Sequence, residues 1–222
     1  MTADGKVILP GAGKLERIGS GWDLERVKQF RLQADAILVG AKTVIADNLA
    51  LRVPANSLRY DGDRKYPIRV CLLGRTLLPL DRKILKPDIG GTLLFFAGGK
   101  TYERHRENLP HNIVYSVGRG LLANIKKTVK ILQEDWRVEK LLVEGGPSVN
   151  ASFLQADLID RYYVTICPYI FGGRKNNTLT PFLGYSVKEK NQRRFILSDC
   201  RKESDWVFLT YDRFRYLEEG RF

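Results

Sequence analysis

The sequence predicts an α/β fold with a mainly parallel central sheet, helices on both faces and a C-terminal antiparallel hairpin. Short, continuously apolar segments typical of buried strands alternate with segments of helical periodicity. The last two apolar segments alternate with polar residues and flank the polar turn DCRKESD. The chain has 222 residues, 44% of them hydrophobic, and no linker, repeat or low-complexity tract. We therefore expect one domain over residues 1–222.

Eight segments are predicted to be strands because they are short and rich in aliphatic, β-branched and aromatic residues. Six belong to the sheet, at residues 36–40, 68–73, 92–96, 112–115, 140–143 and 161–167, and two to the hairpin, at 193–198 and 205–211. Three helices are predicted between them, at 23–34, 122–135 and 148–156. In the first helix Leu24, Val27 and Phe30 have helical spacing, and Ser20 or Asp23 can cap it.

The formal net charge of +12 suits nucleic acid, a membrane surface or phosphorylated small molecules. The basic residues are spread along the chain without a nucleic-acid-binding motif, which favours a generally basic surface and no nucleic-acid partner. A basic nucleic-acid-binding module stays open as the non-enzyme alternative. No apolar run approaches the length of a bilayer span and no signal peptide is present, so we expect a cytoplasmic protein without membrane contact.

The cysteines and histidines predict no metal site. Cys71, Cys167 and Cys200 lie in or beside apolar segments without metal-ligand spacing, which is typical of reduced thiols in a core. His105 and His111 lie in a polar stretch and form no cluster with cysteine or glutamate.

The most informative segment is LLVEGGPSVNASFLQADLID, at residues 141–160. Its apolar run ends in Glu144, and two glycines and Pro147 lead directly into a helix. Glycines allow close approach to a bulky ligand, and the free N–H groups of a helix start attract phosphate. We expect Glu144 at the carboxyl end of a central strand, where open α/β sheets bind ligands. An ordinary strand-to-helix connection is the alternative.

A second segment, DAILVGAKTVIADNLAL at residues 35–51, ends a strand at Gly40 and places Thr43 and Asp47 four residues apart. If the residues after Gly40 are helical, both side chains lie on one face and can hold a ribose, an amide or a water. The alternative is that Thr43 caps the helix and Asp47 ends it. Turn residues also follow Thr2 in TADGK and Cys167 in PYIFGGR, where Arg174 either reaches a phosphate or belongs to the turn.

Taken in order, TADGKV, DAILVGAKTVIAD and LLVEGGPSVNASFLQADLIDRYYVTICPYIFGG resemble the reductase family of riboflavin biosynthesis. That family has a dihydrofolate-reductase-like fold, and the resemblance covers residues 2–173. It implies a homodimeric NADPH-dependent oxidoreductase whose substrate is a pyrimidine carrying a ribosylamino 5′-phosphate group. Hydride transfer from the nicotinamide to C1 of the sugar would give a ribitylamino chain.

The resemblance also implies roles for individual residues. Glu144 would be catalytic and would contact substrate near the transfer site, and Arg31 would pair with the substrate phosphate. The residues carried over as cofactor contacts are Thr43, Asp47, Gly145, Gly146, Pro147, Ser148 and Val149. The motifs of a fused zinc deaminase are absent from the chain, which is similar to stand-alone reductases of the diaminopyrimidinone. Reduction of the deaminated pyrimidine stays open.

The sequence departs from the family pattern in two places. In the substrate loop, Leu51 and Arg52 precede Pro54, where the family has an arginine, so Arg52 or Arg59 would substitute. After the strand at 68–73 the family often has a serine where this chain has Gly74, and Arg75 beside it is a candidate partner for the 2′-phosphate of NADPH. These departures keep two alternatives open: another dihydrofolate-reductase-like pterin or pyrimidine reductase, and a member that binds nucleotide without turnover.

Overall fold

The computed structural model describes residues 1–7, 20–53, 66–86, 91–172, 180–184 and 193–214. The chain divides into two compact units, one formed by Glu25–Val149 and the other by Met1–Leu24 together with Asn150–Phe222. The expectation of a single domain stays a prediction.

The described residues of the unit Glu25–Val149 contain a five-stranded parallel sheet. Its strands are β1 (Ala36–Gly40), β2 (Ile68–Leu72), β3 (Leu93–Ala97), β4 (Ile113–Ser116) and β5 (Leu141–Gly145). They pair in the order β4-β3-β2-β1-β5, and every neighbouring pair is parallel. The parallel sheet is confirmed. The prediction of a central strand before the glycine turn is wrong, because β5 is the last strand of this sheet among the described residues.

The sheet is buried on both faces at its centre. Every residue of β1 and β2 is buried, as the continuous apolar run of β1 predicts, and β2 buries the charged Arg69 as well. Alternate residues of three strands, among them Ile37, Cys71 and Phe95, form one core cluster, and side chains outside the sheet, such as Val44 and Ile84, pack into it. This packing fixes the positions at which the strands end and their loops begin.

Five helices accompany the strands in the described parts of the chain. They are α1 (Gly21–Gln33), α2 (Ala41–Asp47), α3 (Tyr102–Asn108), α4 (Ile125–Glu134) and α5 (Pro147–Ala156), with a 3-10 helix at Lys83–Leu85. The Ser20 hydroxyl caps α1 by accepting from the Asp23 amide at 3.1 Å. The apolar face predicted for α1 is not buried, since no residue of the helix is buried and Leu24 is 51% exposed. No described helix has both the length and the apolarity needed to cross a membrane.

The other unit contains an antiparallel sheet of β6 (Arg161–Ile166), β7 (Phe195–Glu203) and β8 (Trp206–Arg213), in the order β6-β8-β7. The hairpin is confirmed, but it pairs with β6 in a separate sheet instead of forming an edge of the parallel one. Its turn is only Ser204 and Asp205, because the polar residues before them continue an exposed strand. Cys71 and Cys167 are buried as predicted, whereas Cys200 on β7 is exposed, which contradicts a core position.

Candidate active site at the carboxyl edge of the parallel sheet

Three loops of the unit Glu25–Val149 leave the carboxyl ends of the neighbouring strands β2, β1 and β5. Parallel strands end at the same edge of a sheet, and ligands of open α/β sheets bind there. The loops after β5 and β1 carry Gly145–Val149 and α2, and the loop after β2 carries Gly74 and Arg75. All of the predicted cofactor residues therefore belong to one edge.

The glycine turn after β5 contacts the helix that follows β1. Gly145 has a φ of 88°, a conformation that glycine adopts easily, and the peptide bond to Gly146 is cis. A Cβ added to Gly146 would lie 2.7 Å from the Thr43 hydroxyl oxygen. The Val149 amide donates to the Gly146 carbonyl at 2.9 Å, and Pro147 is the first residue of α5, as its position predicts. The structure thus brings Thr43 to the turn.

A second close approach joins the same two segments. A Cβ added to Gly40, the residue that ends β1, would lie 2.8 Å from the Val149 side chain. Glycine at this position lets the start of α5 pack directly on the end of β1. The segments that follow β1 and β5 therefore approach each other closely at two points, each between a glycine of one segment and a side chain of the other.

Helix α2 resolves the two interpretations of its polar residues. Thr43 lies in the first turn and does not cap the helix, since Gly40 is the N-cap and makes no side-chain cap bond. Asp47 is the last helical residue, and Asn48 follows it in the left-handed conformation. The four-residue spacing puts Thr43 and Asp47 on one face, with Thr43 half-buried and Asp47 exposed.

Arg31 of α1 and Glu144 of β5 form a bidentate ion pair. Arg31 Nε donates to Glu144 Oε1 at 2.5 Å and Nη2 donates to Oε2 at 2.6 Å, and the two side chains are 19% and 15% exposed. The third guanidinium nitrogen, Nη1, donates to the Arg52 carbonyl at 3.1 Å. A carboxylate that accepts two such bonds is held in one orientation. One guanidinium therefore links the predicted catalytic residue with the predicted substrate loop.

Other parts of the substrate loop take different positions. Leu51 is 2% exposed and belongs to the core cluster, so its side chain is in the core and not at a surface that a substrate can reach. It also has a φ of 54°, which turns the chain toward Arg52, whose side chain is exposed. Pro54, Arg59 and Arg174 lie outside the described residues.

The loop after β2 is held by a helix that the sequence did not predict. Arg104 and His105 of α3 hydrogen-bond the carbonyl oxygens of Arg75 and Gly74, at 3.1 and 2.7 Å. His105 is fully buried, and its Nδ1 atom has no hydrogen-bond partner. The sequence YERHREN has no helical apolar period, so no signal marked the helix. In the described part of the chain, no group of three potential metal ligands lies close together.

Comparison with known proteins shows to which family the chain belongs. A model of the RibD C-terminal domain matches residues 1–202. The chain belongs to this family. It is 34% identical over 185 residues to a 2,5-diamino-6-ribosylamino-4(3H)-pyrimidinone 5′-phosphate reductase of Methanothermobacter thermautotrophicus, covering 81% of this chain and 79% of that protein. It is 29% identical over 196 residues to the riboflavin biosynthesis protein RibD of Actinobacillus pleuropneumoniae, covering 86% of this chain and 49% of that protein.

Solved structures confirm the fold of the RibD C-terminal domain. Acinetobacter baumannii RibD aligns with a TM-score of 0.74 and 23% identity over 96% of this chain and 55% of that one. A pyrimidine reductase-like protein of Corynebacterium diphtheriae aligns with a TM-score of 0.77 and 20% identity over 96% of this chain and 89% of that one. The dihydrofolate-reductase-like α/β fold and the family resemblance are thus both confirmed. The chain spans about half the length of the RibD proteins and about four fifths of the archaeal reductase.

Proposed function

We propose that the protein is an NADPH-dependent oxidoreductase of riboflavin biosynthesis, which reduces the ribosylamino side chain of a pyrimidine 5′-phosphate to a ribitylamino chain. The observation that carries this proposal is the arrangement at the end of β5, where the Arg31–Glu144 pair directly precedes the glycine turn that contacts Thr43. A site for an anionic, sugar-bearing substrate thus adjoins a site for a dinucleotide. Two archaeal relatives are named 2,5-diamino-6-ribosylamino-4(3H)-pyrimidinone 5′-phosphate reductase, and these names support the same reaction.

The glycine turn suits a dinucleotide for a steric reason. Gly145 and Gly146 have no side chains, and a Cβ on Gly146 would already meet Thr43. The ten-residue helix α5 begins at Pro147. Its N-terminus, with the free N–H groups of the first turn, therefore lies at the same edge of the sheet. We assign the backbone of Gly145, Gly146, Pro147, Ser148 and Val149, together with Thr43 and Asp47, to the pyrophosphate and nicotinamide end of the cofactor.

The adenosine end is assigned to the loop after β2. Gly74 is half-buried and Arg75 is exposed beside it, in the loop that follows β2, the strand adjacent to β1. Arg75 would pair with the 2′-phosphate, which NADPH has and NADH lacks, through a charge-assisted hydrogen bond. This assignment supports NADPH over NADH as the cofactor.

The substrate is assigned to Arg31, Glu144, Arg52 and the backbone of Leu51, whose side chain lies in the core. Arg31 has five N–H donors and uses three nitrogens in the bonds described, which leaves hydrogens for a phosphate oxygen. An ionised carboxylate paired with a guanidinium accepts hydrogen bonds and does not donate. Glu144 would therefore hold a sugar hydroxyl or the amino nitrogen of the substrate and orient the reacting carbon.

When bound, the reduced nicotinamide supplies the hydride, and this chain supplies the positions of the reactants. Thr43 and the glycine turn would fix the plane of the cofactor, and Glu144 would fix the substrate against it. The proton that accompanies the hydride would come from water, since the paired Glu144 carboxylate has none to give. We further propose that the substrate is the diaminopyrimidinone, and that the enzyme is a cytoplasmic homodimer without nucleic-acid or membrane partners.

The test is a turnover assay with the purified protein. Loss of the absorbance of reduced nicotinamide is followed with the diaminopyrimidinone ribosylamino phosphate and, separately, with its deaminated analogue, each with NADPH and with NADH. Turnover of the diamino compound with a preference for NADPH is the expected result. Turnover of only the deaminated compound would make that compound the substrate. If neither compound is turned over although NADPH binds, the reductase assignment is overturned.

A further inference from the structure

Helix α3 places three side chains on the backbone of the loop after β2. Arg104 Nη2 donates to the Arg75 carbonyl at 3.1 Å, His105 Nε2 lies 2.7 Å from the Gly74 carbonyl oxygen, and Asn108 Nδ2 donates to the Leu78 carbonyl at 2.9 Å. Asn108 follows His105 by three residues and Arg104 by four, which puts it on the same side of the helix as each of them. The helix therefore sets the course of the loop that carries Arg75.

The start of α3 is itself fixed. The buried Thr101 hydroxyl oxygen lies 3.1 Å from the carbonyl oxygens of both Gly98 and Leu121, which share its single hydrogen. A Cβ added to Gly98 would lie 2.4 Å from the Gly120 carbonyl oxygen, so the loops after β3 and β4 are in direct contact. Arg104 thus projects from a helix with a defined position, at the same edge of the sheet.

The charges of this region are unbalanced. Arg75 and Arg104 are both exposed, and no described carboxylate forms an ion pair with either of them. By contrast, Arg106 on the same helix pairs with Glu103 at 3.0 Å. Arg104 brings a second positive charge to the backbone of Arg75, and a dianion bound there would attract both charges.

We propose that Arg104 is the second guanidinium of a clamp that, with Arg75, recognises the 2′-phosphate of the cofactor. The proposal rests on the proposed function, which assigns Arg75 to that phosphate. It adds a second phosphate-binding residue, Arg104, from helix α3. Arg104 donates one hydrogen bond to the Arg75 carbonyl, and its other N–H groups can donate to phosphate oxygens. The bond to the carbonyl also fixes the guanidinium before the ligand arrives, which lowers the entropy lost on binding.

His105 is a positioning residue in this arrangement. A carbonyl oxygen only accepts, so Nε2 carries the hydrogen and donates it to Gly74. The ring is fully buried, and the unpartnered Nδ1 atom shows that only this one bond orients it. Removal of the bond would release the Gly74 carbonyl and, with it, the neighbouring Arg75.

The experiment compares binding of adenosine 2′,5′-bisphosphate and of AMP by calorimetry to the full chain and to the variants Arg104→Ala and Arg106→Ala. Arg106→Ala removes the same charge from the same helix and is the matched control. We expect Arg104→Ala to weaken the bisphosphate about tenfold, the value of one charge-assisted hydrogen bond, and to change AMP affinity less than about twofold. The control should leave the ratio of the two affinities unchanged.

Equal losses for both ligands, no loss in Arg104→Ala, or an equal loss in Arg106→Ala would each overturn the clamp. Failure of the proposed function looks different, because the unaltered protein would then show no preference for the bisphosphate over AMP. For His105 we compare Leu and Gln substitutions by the ratio of NADPH to NADH affinity. His105→Leu should narrow that ratio and His105→Gln, which can still donate, should restore it; identical ratios in both would remove the positioning role.

Discussion

Arg31 and Glu144, 113 residues apart in the chain, meet through two parallel hydrogen bonds of 2.5 and 2.6 Å. The pair joins the first helix to the end of β5, and its Arg31 end also holds the Arg52 carbonyl. Both side chains are mostly buried, so neither can lose its partner without leaving a charge in a poorly solvated place. The predicted catalytic residue is therefore positioned before any ligand binds.

Substitution of Glu144 by Gln should lower turnover much more than cofactor affinity. The amide keeps the shape of the side chain but loses the charge that Arg31 pairs with, and we expect kcat/KM to fall about a hundredfold, as for a broken buried charge pair. Steady-state kinetics and NADPH calorimetry measure the two effects. Glu139→Gln, at an exposed position before β5, is the control. An unchanged rate in Glu144→Gln would exclude Glu144 from the site.

A methyl group at Gly146 should prevent cofactor binding. In Gly146→Ala the Cβ would lie 2.7 Å from the Thr43 hydroxyl oxygen, and such overpacking costs about 1–3 kcal/mol. The double variant Gly146→Ala/Thr43→Ala removes that contact and should regain thermal stability without regaining NADPH affinity. Recovery of both properties would mean that the glycine serves only to accommodate Thr43. Gly120→Ala is the control, since its Cβ would meet no atom closer than 3.9 Å.

The core contains a guanidinium whose loss should destabilise the fold. Arg69 of β2 is 6% exposed and donates to the carbonyl oxygens of Ile84 at 2.8 Å and of Gly91 at 3.4 Å, and burial lowers its pKa. Arg69→Leu would leave both acceptors unsatisfied, and we expect a loss of about 1–3 kcal/mol in the free energy of unfolding. Urea denaturation measures the free energy of unfolding, and Arg106→Ala, at an exposed position, is the control. A loss no larger than in Arg106→Ala would mean that the carbonyl groups find other donors.

Alkaline pH should destabilise the protein through Cys71. Burial raises the pKa of this thiol from its ordinary value of 9.0 to about 12. The unfolded chain releases the proton first, so stability is full below about pH 9 and falls as pH rises toward 12, by about 1.4 kcal/mol per pH unit. Urea denaturation between pH 8 and 11 measures the slope, which should be shallower in Cys71→Ala. Exposed Cys200→Ser is the control, and equal slopes in all three proteins would contradict this origin.

Local patterns in the sequence predicted much of the fold. The apolar run at residues 36–40 coincides with β1, and Pro147 marks the first residue of α5. Both signals are local, since a buried strand is continuously apolar and proline suits the first turn of a helix. Helix α3 was missed because only His105 of its seven residues is buried, so it has no apolar stripe to detect.

The site was predicted as a set of residues but not as a set of contacts. The proximity of Gly146 to Thr43 follows from the pairing of β1 with β5, which brings the two loops together. The pairing of Arg31 with Glu144 had no signal, because one sequence does not reveal which charges meet across more than a hundred residues. Leu51 was placed at the substrate by resemblance, although its apolar side chain completes the core.

The position of β5 beside β1 has a consequence for the synthesis of the protein. β1 ends at Gly40, whereas the strand that covers one of its two edges begins only at Leu141. During translation of the residues between them, on the order of ten seconds at common elongation rates, that edge of a fully apolar strand has no partner. An unpaired apolar edge can recruit strands of other chains. The nascent polypeptide therefore carries an edge that favours aggregation until the ribosome adds the segment that completes the candidate site.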